Sequence, residues 1–165
     1  MAVVVSDTTP LHYLILVEQE FILERLYSRI IIPSAVLEEL RHPSAPTPIS
    51  AWASHMPGWV KVATPKSIPA RFDALDLGER QALALANEIN ADLILVDDKL
   101  ARRVAVGELM KVKGTLGVVA QAAKAGLLNF TETVEKLKKT SMHLNQDVVD
   151  EVIREIRRSS GQGAP

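Results

Sequence analysis

The chain has 165 residues, of which 47% are hydrophobic and 24% are charged, and its formal net charge is −1. This composition is typical of a soluble globular protein, and the charge excludes an overall basic surface of the kind that attracts nucleic acid. The absence of cysteine excludes disulfides, thiolate zinc sites and cysteine nucleophiles. No basic leader and no long apolar run begins the chain, so we expect a cytoplasmic protein without a membrane segment.

The first third of the chain alternates short apolar strands with helical segments. A buried strand is predicted over 2–7, and one helix or two helices are predicted over 11–27. A second buried strand spans 29–34, and Ser34 is expected to cap the helix AVLEELR. Residues 42–72 hold six of the nine prolines and are predicted to be mostly loop, with a short edge strand in WVKVAT.

The middle of the chain continues the alternation of helix and strand. A helix is predicted over 76–89, a third buried strand over 91–98 and a helix over 99–109. A strand over 111–114 and a helix over 115–128 follow. Buried strands separated by helices predict an α/β fold with a parallel sheet covered on both faces.

The tail repeats apolar residues at helical spacing, which predicts two helices over about 130–139 and 145–157. We therefore expect a main domain over 1–128 and a helical extension over 129–158, packed on the domain or on a partner. The stretch SSGQGAP at 159–165 is expected to be disordered.

Acidic side chains follow two of the predicted strands and begin two of the predicted helices. Asp7 ends the first strand, and Asp97 and Asp98 end the third. Glu39 and Glu79 lie near the starts of helices that begin at the same edge of the sheet. Carboxylates that converge in this way repel one another unless a cation is present, and Mg²⁺ or Mn²⁺ prefers such oxygen ligands.

Each acidic residue also has a purely structural interpretation. Asp7 can initiate a turn or cap a helix, and Asp97 or Asp98 can begin the next helix. Glu79 completes a capping box with Asp76. Glu38, beside Glu39, is typical of a solvent-facing helix position. The functional interpretation depends on the shared location of the acids at one sheet edge.

In order and setting, these acids resemble those of PIN-domain ribonucleases, including VapC-like toxins. The resemblance is carried by SDTTPL, IPSAVLEEL, LDLGERQALALA and ADLILVDDKLARRVA, and it covers about residues 2–128. KVKGTLGVVAQAAKAGLL also resembles a PIN-like subfamily with a GT-x-G turn and a longer tail. The resemblance implies a three-layer α/β/α fold with a central, mainly parallel sheet and a helical C-terminal tail.

The resemblance implies catalytic roles for Asp7, Glu39, Glu79 and Asp97, where Glu79 stands in place of the family's more common aspartate. Asp7, Glu79 and Asp97, with Asp98 as a neighbouring candidate, would hold Mg²⁺ or Mn²⁺, and Thr8 and Thr9 would support the site. The implied function is metal-dependent hydrolysis of RNA by the toxin of a type II toxin–antitoxin system. An antitoxin protein and a second copy of the chain are the implied partners.

Basic residues follow the last acids directly. Lys99, Arg102 and Arg103 can contact RNA phosphates if they face the acids, and otherwise they form a solvated helix face. Two other functions stay open at this point. One is a catalytically degenerate PIN-like scaffold that binds RNA or a protein, and the other is a phosphoacceptor receiver domain.

Overall fold

A computed structural model describes residues 2–161 of the chain. Five strands form one parallel sheet in these residues. The strands are β1 (Val4–Ser6), β2 (Ile30–Pro33), β3 (Val60–Ala63), β4 (Leu93–Leu95) and β5 (Val112–Lys113). Their order across the sheet is β3-β2-β1-β4-β5, so the predicted parallel α/β fold is confirmed and WVKVAT supplies an edge strand as expected.

The sheet has a switch point between β1 and β4. From β1 the chain builds β2 and β3 on one side, and it then returns to build β4 and β5 on the other side. Ser6 pairs with Leu95 at the carboxyl ends of the two central strands. The Asp7 backbone amide extends this pairing by donating to the Leu95 carbonyl at 2.9 Å. Ligand sites of parallel sheets lie at such a point.

Helices connect the strands and continue to the end of the described residues. They are α1 (Thr8–Leu16), α2 (Phe21–Tyr27), α3 (Ser34–Leu40), α4 (Thr47–Ser54), α5 (Leu77–Glu88), α6 (Lys99–Gly107), α7 (Thr115–Lys124), α8 (Phe130–Lys138) and α9 (Gln146–Gly161), with a 3-10 turn at Ala70–Phe72. The segment 11–27 forms two helices, since the chain turns through a positive φ at Glu18. No helix in residues 2–161 combines the length and apolar character that a membrane span requires.

One helix was not predicted from the sequence, and one local expectation is wrong. The proline-rich segment 42–72 contains α4, because Pro46 and Pro48 occupy the start of that helix, where a missing amide proton costs nothing. Ser34 does not cap α3: Pro33 holds the cap position, and the Ser34 hydroxyl donates instead to Gln81 Oε1 at 3.2 Å.

The described residues divide into two compact units, one ending at Thr115 and the other beginning at Leu116. The division comes before most of α7, whereas the sequence favoured a boundary after residue 128. In the second unit, α8 and α9 correspond to the two predicted tail helices. α9 continues through Gly161 into the stretch that was expected to be disordered, and residues 162–165 of that stretch lie outside the described residues.

The core of the first unit surrounds the two central strands. Val5, Ile94 and Val96 are fully buried and pack with the apolar face of α5. The strands that carry the acidic residues are therefore anchored in a dry interior, which fixes the positions at which the chain leaves the sheet.

Candidate functional site

Asp7 is a buried carboxylate at the switch point of the sheet. It occupies the cap position of α1, but its side chain accepts no capping hydrogen bond there. Only 5% of the residue is exposed. No capping bond therefore accounts for the Asp7 carboxylate, whose backbone contact is a hydrogen bond from Thr8.

Burial raises the pKa of the Asp7 carboxyl from 3.8 to about 8. A hydrogen bond from the Thr8 backbone opposes this shift, and the neighbouring charges of Asp76, Glu79 and Glu39 add to it. A buried carboxyl among other carboxylates keeps its proton at neutral pH unless a cation compensates its charge. Such a group is a candidate for a functional site rather than for a structural ion pair.

Glu39 approaches Asp7 across the first turn of α5. Glu39 Oε1 and Asp7 Oδ1 face the same small space above the Gly78 backbone, 2.6 Å and 3.3 Å from the point where a Cβ would stand. The Thr8 hydroxyl donates to Glu39 Oε2 at 2.7 Å. Thr8 thus supports the second acid of the site, while Thr9 lies half-buried in the same turn of α1.

Gln81 links the helix that carries Glu39 to the helix that carries Glu79. Gln81 Oε1 accepts from the Ala35 amide at 3.0 Å in addition to the Ser34 hydroxyl. Through these two bonds, α5 satisfies free donors at the start of α3, as an N-cap side chain would. The link holds the two helices in register at the edge of the sheet.

Glu79 is buried and occupies the N3 position of the predicted capping box, three residues after the N-cap Asp76. Its Oε1 accepts from the Asp76 amide at 3.1 Å, and the Glu79 amide donates to Asp76 Oδ1 at 2.9 Å. Burial raises the pKa of the Glu79 carboxyl, and the charges of Asp76 and Asp98 raise it further. Glu79 thus completes the capping box and also lies near the carboxylates of Asp76 and Asp98. In the sequence, Asp76 was considered only as a cap.

Asp97 is held in place by Thr115 at the start of α7. The Thr115 amide donates to Asp97 Oδ1 at 2.7 Å, and the Thr115 hydroxyl donates to Oδ2 at 2.6 Å. Thr115 is fully buried. Asp97 is therefore oriented by a residue that lies just after the neighbouring strand β5. Metal-binding and catalytic carboxylates in proteins have support of this kind.

Asp98 has a different role from its neighbour. It caps α6, where its Oδ2 accepts from the Ala101 amide at 2.9 Å, as the structural interpretation predicted. Its charge is nevertheless close enough to Glu79 to raise the pKa of that group.

The three basic candidates Lys99, Arg102 and Arg103 are exposed on α6. Of the three, Arg102 has a side chain that lies near one of the acids, Asp97. Its Nη1 lies 3.5 Å from the point where a Cβ of Gly114 would stand, on the same side as Asp97 Oδ1.

The donor chemistry of this edge fits a divalent cation. The oxygens come from carboxylates, and at Asp7 and Glu79 burial together with neighbouring negative charge disfavours the charged form until positive charge is supplied. Within residues 2–161, no three or more His, Cys, Asp or Glu side chains stand close enough together to enclose an ion. Mg²⁺ keeps several of its waters, so one or two direct carboxylates suffice to hold it.

Comparison with known protein families identifies the family to which the chain belongs. The family model DUF3368, described as a PIN domain, matches residues 3–158. The chain belongs to the PIN-domain family. PIN domains are generally nucleases, which makes this edge of the sheet the candidate active site. No curated protein matches the chain.

Membership in the PIN-domain family confirms the predicted family and fold, and it leaves no support for a receiver domain. Two residues at the acidic edge were not singled out from the sequence: Gly78 and Gln81. Both lie on α5 and contact residues of other elements, so no local sequence pattern revealed these contacts. Gly114 and Thr115 belong to the GT-x-G turn, which contributed to the family resemblance, but the contact of this turn with Asp97 was not predicted.

Proposed function

We propose that the protein is a divalent-metal-dependent endoribonuclease whose site consists of Asp7, Glu39, Glu79 and Asp97, with Asp98 as an outer acid. The observation that carries the proposal is the buried Asp7 carboxyl at the switch point, which has no capping bond and faces the Glu39 carboxylate. The PIN-domain family supports a nuclease in general. RNA as substrate and Mg²⁺ or Mn²⁺ as cofactor are the finer parts of the proposal.

In this proposal, Asp7, Glu79 and Asp97 hold the cation directly or through water. When bound, the cation supplies positive charge at the scissile phosphate and lowers the pKa of a coordinated water. Thr8 and Thr115 orient Glu39 and Asp97 through the hydrogen bonds described above. The Asp98 carboxylate stays on its helix cap and adds negative charge next to Glu79.

The reaction is hydrolysis of one phosphodiester bond. Glu39 accepts a proton from the attacking water, whose oxygen forms a new bond to phosphorus. The bond between phosphorus and the 3′-oxygen breaks, and the leaving oxygen takes up a proton. The products are a 5′-phosphate and a 3′-hydroxyl. Arg102, and next to it Lys99 and Arg103, bind the phosphates that flank this bond.

We further propose that the nuclease is the toxin of a type II toxin–antitoxin system. It would act in the cytoplasm as a homodimer, and an antitoxin protein would block the acidic edge. This assignment rests on the VapC-like motifs of the sequence, including SDTTPL and IPSAVLEEL. Coexpression of the chain with the product of the adjacent reading frame, followed by co-purification and a growth assay, tests the toxin and antitoxin roles together.

A cleavage assay on single-stranded RNA with Mn²⁺ or Mg²⁺ tests the chemistry. Asp7→Asn is expected to abolish cleavage, and Glu39→Gln is expected to lower it by about 10²-fold or more. Glu38→Gln is the matched control, because Glu38 is an exposed neighbour on the same helix and is expected to change nothing. Full activity of Asp7→Asn would contradict the proposed site.

A catalytically inactive scaffold is the second candidate function. The capping bond between Glu79 Oε1 and the Asp76 amide favours it, because one oxygen of the third acid is already committed. A scaffold binds RNA without cutting it under any metal condition, whereas the proposed nuclease cuts RNA when Mn²⁺ is added and stops when it is chelated.

A further inference from the structure

Two glycines at the acidic edge have no conformational reason to be glycine. Gly78 lies in the first turn of α5, and Gly114 joins β5 to α7. Neither has a backbone φ in the left-handed region that favours glycine, whereas Gly126, at φ 75°, does. The reason for glycine at 78 and 114 must therefore be sought in the space around them.

At Gly78, the missing side chain makes room for two carboxylates. A Cβ there would lie 2.6 Å from Glu39 Oε1 and 3.3 Å from Asp7 Oδ1. The first distance is shorter than real Cβ contacts allow, so something has to move. The atom that has to move is at the end of the flexible Glu39 side chain, whose other oxygen accepts a hydrogen bond from the Thr8 hydroxyl. An alanine at this position would push the Glu39 carboxylate away and strain its bond to Thr8.

At Gly114, the missing side chain makes room for Asp97. A Cβ there would lie 2.6 Å from Asp97 Oδ1 and 3.5 Å from Arg102 Nη1. Asp97 cannot turn aside without losing hydrogen bonds, because both its oxygens accept from Thr115. An alanine at 114 would therefore displace either the carboxylate or the turn that carries Thr115.

Gly58, Gly107 and Gly126 provide the contrast. Gly58 and Gly107 have no atom within 4 Å of the position of a Cβ, and neither is in the left-handed region. Gly107 is the last residue of α6, the helix that begins directly after Asp97 and Asp98. Among Gly58, Gly78, Gly107, Gly114 and Gly126, only the two at the acidic edge have a carboxylate within 4 Å of the Cβ position.

We infer that Gly78 and Gly114 are positioning residues, which keep open the space in which the proposed cation ligands Asp7 and Asp97, and Glu39 beside Asp7, take their places. The inference rests on the proposed metal-dependent function. Its structural part, the displacement of a carboxylate by a single methyl group, holds whether or not the protein cuts RNA. It also predicts that stability and site function respond differently to the same substitution.

The test compares Gly78→Ala and Gly114→Ala with Gly107→Ala as the control for replacement of a helical glycine. Crystal structures of the metal-free variants are expected to show the Glu39 carboxylate moved from Asp7 in the first and Asp97 moved from Thr115 in the second. Mn²⁺ titration by calorimetry is expected to show binding weakened by about 10- to 100-fold in both, as for loss of residues that support metal ligands. Gly107→Ala is expected to bind Mn²⁺ as wild type does.

Thermal unfolding separates positioning from folding. Gly78→Ala is expected to melt no lower than wild type, because alanine restricts the unfolded chain and the displaced atom belongs to a flexible side chain. Unmoved carboxylates in both variant structures would overturn the inference even if the wild-type protein binds Mn²⁺ and cleaves RNA. Moved carboxylates in a protein that binds no Mn²⁺ would uphold the positioning of the side chains and instead overturn the proposed metal-dependent function.

Discussion

Thr115 holds Asp97 by both carboxylate oxygens, with its amide at 2.7 Å from Oδ1 and its hydroxyl at 2.6 Å from Oδ2. The two residues leave neighbouring strands, β5 and β4, at the same edge of the sheet. This pair joins the last acid of the site to the beginning of α7.

Replacing Thr115 tests how much of the site depends on this pair. Thr115→Val keeps the shape and the amide bond but removes the hydroxyl, so the half-buried Asp97 carboxylate loses a donor at a cost of about 1–3 kcal/mol in the free energy of unfolding. Thr115→Ser retains the hydroxyl and is expected to stay near wild type in urea unfolding and in RNA cleavage. Equal behaviour of the Val and Ser variants would show that the hydroxyl bond is dispensable.

Asp7 should make the stability of the metal-free protein depend on pH. The pKa of its carboxyl is about 8 when folded and 3.8 in its ordinary state, so the folded protein binds this proton more tightly than the unfolded chain does. The resulting stabilisation is fully present below the unfolded value and is lost as the pH rises toward 8.

The variant Asp7→Asn has no such proton. Its free energy of unfolding is expected to vary less with pH and to exceed that of wild type at pH 8 by about 2 kcal/mol or more, since each pKa unit corresponds to about 1.4 kcal/mol. Urea unfolding in chelator at several pH values measures the difference. Parallel profiles for the two proteins would mean that Asp7 is not buried in its protonated form.

Glu79 has two roles that substitutions can separate. Glu79→Gln keeps an oxygen that accepts from the Asp76 amide but removes the charge, and Glu79→Ala removes both. We expect the alanine variant to lose about 1 kcal/mol of stability through the capping box, and the glutamine variant to keep it. Both are expected to lose Mn²⁺-dependent RNA cleavage. If the glutamine variant cleaves RNA as wild type does, Glu79 is a cap alone.

Arg102 and Arg103 form a matched pair for RNA binding. Only Arg102 is placed beside Asp97 by the contacts at Gly114. In an Asp7→Asn background that binds without cutting, Arg102→Ala is expected to weaken RNA binding and to reduce the slope of log affinity against log salt by about 0.7, as for one phosphate contact to a single strand. Fluorescence anisotropy at several salt concentrations measures this. A larger effect of Arg103→Ala would move the RNA path to another face of α6.

Much of the fold could be predicted from the sequence because its strands are short, apolar and separated by helices. The same pattern brings Asp7 and Asp97 to one edge, since parallel strands share their carboxyl ends. Helix α4 was missed because prolines are counted as helix breakers, although Pro46 and Pro48 stand where a helix begins.

The supporting contacts of the site could not be predicted in the same way. Thr115 and Gln81 act on Asp97 and on the start of α3 across elements that are distant in sequence, so no local spacing reveals them. Ser34 shows the same limit, because a tertiary hydrogen bond to Gln81 replaced the local capping role that its position suggested.

The backbone bond from Asp7 to the Leu95 carbonyl has a consequence for the order of folding. It joins strands that are far apart in the chain, and pairing over such a separation is slow because a long loop has to close first. The two halves of the acidic edge therefore exist together only after β1 and β4 have paired. A partly folded chain that has only β1, β2 and β3 in place lacks the Asp97 side of this edge, so the proposed site is complete only when the central strands have joined.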